Sequence, residues 1–217
     1  MAKATRPIFI PEPSSPELVK EINLQFEWFM GMARAQKQRS LDAFHTEAEV
    51  AGYSHVLEIS TYSLQPLGVQ LSAFNLFFNS GSSLGTVEEL YQKSKVLSRD
   101  EDRFSETADK MKGEKPISFL FENYSWPLNP QTCFYDWLYV NALHQNQKLA
   151  KQIFEFDAFT DIAYNPKKSL GTQARSAALY VALTKLNKIK EIIKPSNFIV
   201  LLNQYDYMQE PRNLFNI

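Results

Sequence analysis

The sequence predicts a single domain, mainly helical with a few short strands. Helical periodicity runs through four segments, residues 32–51, 86–98, 131–156 and 172–193. The strand-like segments between them are short and scattered. Hydrophobic residues make up 44% of 217, the composition of an ordinary globular chain long enough to bury its own core.

The elements follow in order. Residues 1–16 carry Pro7, Pro11, Pro13 and Pro16 and are expected to form an extended lead-in, because each proline fixes its φ and restricts the residue before it. From Glu21 to Trp28 apolar and polar residues alternate, which predicts a half-buried strand, and Gly31 marks a turn. Leu41, Phe44 and Ala48 share one face of the helix over 32–51, and Gly52 is its stop. His55 to Ser60 reads as a short strand, and Gly68 to Phe78 as irregular or extended. The helix over 86–98 opens on Thr86 as N-cap with Glu89 three residues on, a capping box, and buries Val87, Leu90, Ser94 and Leu97.

Residues 99–116 are charged and expected to be exposed, and 117–121 suggests another strand before the loop at 126–130. Phe134, Leu138, Leu149 and Ile153 recur at helical spacing through 131–156. Asn165-Pro166 marks a loop. The helix over 172–193 carries a narrow face of Ala174, Ala177, Ala178, Val181 and Ala182, and Pro195 ends it. Residues 197–203 read as a strand. The domain therefore spans 17–203, with a tail over 204–217.

Several classes of function are disfavoured. The lone Cys133 cannot form an internal disulfide, which points to a reducing compartment, and no apolar leader or membrane span stands out; a cytoplasmic location is expected. A net charge of −1 argues against a general DNA coater but leaves room for a local basic groove. His45, His55 and His144 lack metal-ligand spacing, and there is no phosphate-cradling glycine loop or nucleophile elbow. No cofactor and no metal are expected, so a hydrolase here would use carboxylate or lysine chemistry.

One helix carries a matching set of groups. If Glu89 closes the capping box, Glu88 is left free in the first turn, where the helix dipole favours an ionised carboxylate. Glu88, Gln92 and Lys95 fall on one face at i, i+4 and i+7. An ionised carboxylate can activate water or stabilise an oxocarbenium-like centre. A solvated polar face opposite the Val87/Leu90/Leu97 stripe would look the same.

The segment 86–95 resembles the NADAR signature, T-V-E-H-x-F-Q-A-x-K. Thr86, Val87, Glu88, Gln92 and Lys95 match it, and Tyr91 stands for its Phe. Upstream, Leu71-Ser72-Ala73-Phe74-Asn75 resembles the family's L-S-N-F-Y. More of the chain is similar to the NADAR branch of antitoxins paired with DarT-type toxins, which ADP-ribosylate guanine in DNA. Phe26-Glu27-Trp28, Gln36-Lys37-Gln38-Arg39-Ser40, Leu57-Glu58-Ile59-Ser60, Trp126-Pro127-Leu128, the run Phe134–Tyr139, the run Asp157–Ile162 and the run Asn165–Ser169 all carry this likeness, over roughly residues 7–190. Ala73 and Glu89 depart from the general family, Tyr62 stands where the branch has a lysine, and residues 98–116 lack the branch's Gly-Gly-Pro turn.

The resemblance implies a single-domain NADAR-like fold and an N-glycoside hydrolase that frees ADP-ribose from guanine in DNA. It implies Glu88 as acid/base, and Lys95 either as a diphosphate ligand or as an amine that forms an imine with the opened ribose. Ser72, Asn75 and Gln92 would position ribose hydroxyls, Trp126 or Trp28 would either stack on a base or pack in the core, and Asp136 and Asp161 are further polar candidates. Lys37, Arg39 and Lys168 would meet DNA. The implied partners are ADP-ribosylated DNA, ADP-ribose and a DarT-type toxin. Two other readings stand beside this one: an N-glycosidase of a small N-ribosyl or ADP-ribosyl metabolite, and a non-enzymatic immunity protein that binds the toxin. The basic residues Lys37, Arg39, Lys167 and Lys168 favour a polyanionic substrate over a small metabolite.

Overall fold

The computed structural model describes residues 2–31, 33–97, 116–129, 132–163 and 172–205. It opens on a long hairpin, β1 (Ala2–Pro11) and β2 (Val19–Trp28), paired antiparallel from Ala2 opposite Trp28 to Pro11 opposite Val19. Helix α1 (Arg34–Val50) and strand β3 (Val56–Glu58) follow. A short helix α2 (Pro66–Gln70) leads into the 71–75 loop and a small hairpin, β4 (Phe77–Asn79) and β5 (Leu84–Thr86). Helix α3 (Val87–Lys93) runs directly from β5. Strands β6 (Lys95–Val96), β7 (Ser118–Phe121) and β8 (Tyr124–Trp126) form a third sheet. The rest is α4 (Cys133–Gln145), α5 (Gln147–Gln152), β9 (Ala158–Thr160), α6 (Gln173–Lys185) and α7 (Pro195–Asn203).

The main sheet has the order β2-β1-β9-β3, with β9 antiparallel to β1 and parallel to β3. Its strands sort their side chains by the two-residue period. Ile8, Val56 and Ala158 face α1, in a core with Leu24, Phe26, Leu41 and Phe44. Their neighbours Phe9, Leu57 and Phe159 join the larger core of α4 and α6. Both of these helices lie deep: every residue from Cys133 to Leu143 and from Gln173 to Leu183 is buried. Such a helix packs on all sides, which explains why neither shows an amphipathic stripe.

This architecture overturns the mainly helical expectation. The chain is mixed α/β, with three sheets among the described residues and a central sheet between helical layers. The prolines of the first residues masked a ten-residue strand. Pro7 and Pro11 are compatible with it because β9 pairs only with Ile8 and Phe9, leaving the prolines beside that doubly paired stretch. No element was expected where the three-residue strand β9 lies. Residues 197–203 are not a strand but lie in α7, where Phe198, Leu201 and Leu202 are buried at helical spacing and Pro195 starts the helix instead of ending the previous one. The helix expected over 131–156 breaks at Asn146, whose φ of −93° and ψ of 65° leave the helical region. The next one ends at Lys185, and Asn187 follows with a φ of 58°. Residues 98–115, with most of the charged run, lie outside the described residues.

Candidate functional site

The site is organised around the 71–75 loop. Helix α2 sets that loop close to the sheet, because Gly68 lies against the Glu58 carbonyl where a side chain would clash. The Tyr139 hydroxyl on α4 donates to the Leu71 carbonyl at 2.7 Å. Ala73 then ties two helix starts together. Its N–H donates to Gln173 Oε1 on α6 at 2.6 Å, and its carbonyl accepts from the Glu88 N–H on α3 at 2.9 Å.

Helix α3 starts as its sequence demands. Thr86 Oγ1 accepts from the Glu89 N–H at 3.3 Å, and Glu89 Oε2 accepts from the Thr86 N–H at 3.0 Å, so both halves of the capping box are present. Glu89 is thereby occupied and Glu88 is not. Glu88 is half-buried, and Gln92 Nε2 donates to its Oε1 at 2.7 Å. The Lys95 ammonium sits 5.2 Å from the centre of the Tyr91 ring.

Several acidic and phenolic groups converge here. Burial, with the charges of Glu88 and Asp136, pushes the Tyr91 hydroxyl up to about 12. Tyr135 is raised well above its ordinary value, first by burial and then by Tyr139, Glu88, Asp161 and Asp136. Tyr139 is raised by burial and by Asp161. All three phenols therefore remain O–H donors at neutral pH. Asp136 is buried and accepts from Ser176 Oγ at 2.6 Å, and Asp161 accepts from Gln173 Nε2 at 3.0 Å. Burial and the charge of Asp136 raise the Cys133 thiol, which keeps it protonated and inert.

Comparison with known families matches residues 4–212 to the DarT1-associated NADAR antitoxins. The chain belongs to that family. No curated protein matches it. The match covers nearly the full chain.

Within this NADAR-family chain the residues singled out in the sequence have different placements. Glu88 and Gln92 share α3, whose start is bonded to the Ala73 carbonyl of the loop that also holds Ser72, and the charge of Asp136 reaches Tyr91 and Tyr135. The helix expected over 86–98 ends at Lys93, so Lys95 lies on β6 and not on the helix face at i+7. Ser72 is fully buried, and its hydroxyl has no hydrogen-bond partner. Asn75 is exposed and spends its amide on the Val69 carbonyl at 2.8 Å, which closes the loop. Gln92 is engaged with Glu88, so its amide orients the carboxylate. Trp126 is 1% exposed and packed against Tyr124, Phe134 and Trp137. Its rings offer no face to a base, so of the two readings core packing is the one the structure supports.

Trp28 lies elsewhere, at the end of β2. The Arg6 guanidinium lies 5.4 Å and the Lys37 ammonium 4.8 Å from its ring centre, and Lys37 also approaches the Tyr62 ring at 5.9 Å. Arg39 is exposed, its guanidinium 4.4 Å from the Phe29 ring. This basic aromatic rim connects to the site through Arg6, whose Nε donates to the Ile162 carbonyl beside Asp161. Lys168 lies outside the described residues. No helix among those residues is long and apolar enough to cross a membrane.

Sequence reasoning gave no role to Tyr135, Tyr139, Gln173 or Ser176. Their signal was present as polar groups inside segments otherwise written for burial: two tyrosines in Phe134–Tyr139, and Gln173 and Ser176 in the small-residue helix. A polar side chain on a helix buried all round must have a partner.

Proposed function

We propose that the chain hydrolyses the bond between a guanine nitrogen and the anomeric carbon of ADP-ribose in modified DNA, reversing the lesion made by the toxin with which its family is associated. The observation that carries this reading is the state of Glu88. Its carboxylate is excused from helix capping by Glu89, held by Gln92, and set among phenols that feel its charge. A residue with only a solubilising role needs none of these arrangements.

The chemistry follows from those groups. Ionised Glu88 takes a proton from water as the water oxygen bonds to the anomeric carbon. The carbon–nitrogen bond breaks, its electron pair stays on the base nitrogen, and the proton that Glu88 took from water passes to that nitrogen, so the base leaves neutral and Glu88 is ionised again. The positive charge that develops on the ribose is stabilised by the nearby carboxylate. Gln92 fixes the carboxylate's direction, and Tyr91 and Tyr135 supply only donor bonds. Lys95, whose ammonium lies over the Tyr91 ring, supplies a cation for the anionic ligand. Trp28, Lys37 and Arg39 serve as a rim for the DNA strand, with ring and cation together suited to base and phosphate. No step requires a metal.

The test uses DNA carrying ADP-ribosylated guanine, purified free of toxin, mixed with substoichiometric protein in EDTA; free N-ribosyl metabolites run in parallel. Several equivalents of unmodified guanine and free ADP-ribose per protein are expected from the DNA. No restoration, together with tight one-to-one binding of the toxin, would make the chain a blocking partner. Turnover lost in EDTA and restored by Mg²⁺ would end the metal-free mechanism.

A further inference from the structure

We infer that the N-terminus of α6 is a phosphate seat, shaped for the diphosphate of an ADP-ribosyl ligand. The choice of ligand rests on the function proposed above; the seat itself rests on unfilled hydrogen-bonding capacity. The first N–H groups of any helix lack intrahelical partners and form its positive end. A Thr at the N-cap ordinarily covers one of them with its own hydroxyl. Thr172 holds that position on the 13-residue helix α6, with the extended φ of −139° and ψ of 135° that capping requires, and makes no capping bond. Its Oγ1 makes no other bond either, although the residue is 3% exposed.

A second hydroxyl is in the same condition. Ser72 Oγ is buried without a partner, and the bond from the Ala73 N–H to Gln173 Oε1 joins its loop to the first residue of α6. Buried polar groups in natural proteins are nearly always met, by protein, water, an ion or a ligand. The charge pattern agrees: the first turn of α6 has no acidic residue and carries the buried Arg175. The two acids nearby already have donors, Ser176 Oγ for Asp136 and Gln173 Nε2 for Asp161. Phosphoryl oxygens are acceptors only. They would satisfy both hydroxyls and the free N–H groups of the helix together. Because the same loop carries the Ala73 carbonyl bound to the Glu88 N–H, a diphosphate here lies next to the proposed ribose position.

The experiment measures ADP-ribose binding by calorimetry, with inorganic pyrophosphate as competitor, in the whole protein and in Thr172→Val, Thr172→Ser and Ser72→Ala. Thr172→Val and Ser72→Ala are expected to weaken ADP-ribose binding about tenfold or more each, the usual consequence of losing a hydrogen bond to a charged group. Their melting temperatures should not fall, because these hydroxyls hold nothing in the free protein. Thr172→Ser should bind as the parent does, and pyrophosphate should compete in the parent and less well in the Val variant. Unchanged ADP-ribose affinity in folded Thr172→Val and Ser72→Ala overturns the seat, as does a parent protein that binds neither anion. The readout is binding, so a chain that binds through these hydroxyls but releases nothing from DNA keeps the seat and loses the hydrolase.

Discussion

Glu88 and Glu58 are two carboxylates with opposite surroundings. Glu58, on β3, is 3% exposed; both its oxygens accept from the Ile162 N–H at 3.1 Å, and the Ser60 hydroxyl adds another bond. Burial, and then the charge of Asp161, holds its carboxyl well above the usual range. Glu88 is half-buried at the start of a short helix, with one oxygen accepting from an exposed glutamine and the other accepting no bond from the described residues. The two neighbourhoods are linked through Asp161, whose charge also reaches the site tyrosines. Burial and saturation with donors turn an acid into a structural part, while an unfilled acceptor position on a half-buried carboxylate leaves an acid able to react.

The largest effect should come from Glu88→Gln. The amide keeps size and hydrogen-bonding shape but cannot take up a proton, so ADP-ribose release should fall by ~10²–10⁴, the usual worth of general acid–base catalysis. Stability should hardly change, because the carboxylate's described bond is to the exposed Gln92. Parent-like turnover in a folded Glu88→Gln protein would remove Glu88 from the chemistry and erase the contrast with Glu58.

Glu58→Gln should do the reverse, sparing the chemistry of Glu88 and changing the pH dependence of stability. An acid whose folded pKa is raised binds its proton more tightly in the fold than in the unfolded chain. It therefore contributes stability below the unfolded carboxyl value, and that contribution is lost as pH rises toward the raised folded value. Gln, which does not titrate, should flatten this decline. Denaturant melts at pH 5 and pH 8 should show the parent losing more stability than Glu58→Gln across that interval. Parallel losses would mean that Glu58 does not titrate in this window.

These placements also show what can be read from a sequence here. The capping box, the freed Glu88 and the common face of Glu88 and Gln92 are local, set by residues within one or two turns, and they were legible. The strand β2, the extent of α1 and the strand near 117–121 carry clean periodicity and were legible for the same reason. The mixed α/β architecture was not. It depends on β1, whose prolines argue against a strand, and on β9, three residues long, whose partners are far away in sequence. The choice between core packing and base stacking for Trp126 was left open by the sequence because its burial comes from Phe134 and Trp137, on a helix that begins after it. The bridge from Gln173 to Ala73, Ile59 and Asp161 spans up to 114 positions, and no spacing rule reaches so far.

The smallest expected effect, Thr86→Ala, tests whether helix and carboxylate can be separated. Glu88 and Glu89 are neighbours, yet one is assigned to chemistry and the other to the cap. Removing the Thr86 hydroxyl uncovers the Glu89 N–H, while the Glu89 carboxylate can still reach the Thr86 N–H. Loss of such a cap costs about 1 kcal/mol. The start of α3 is also held by the Val87 N–H on the Leu76 carbonyl and the Glu88 N–H on the Ala73 carbonyl, neither of which needs the hydroxyl. Helix placement should therefore survive. A thermal melt should register the loss, and ADP-ribose release at saturating substrate should fall far less than in Glu88→Gln. If Thr86→Ala instead removes as much activity as Glu88→Gln, at a similar melting temperature, catalysis depends on the exact pose of the whole helix start, and the division of labour between the two glutamates does not hold.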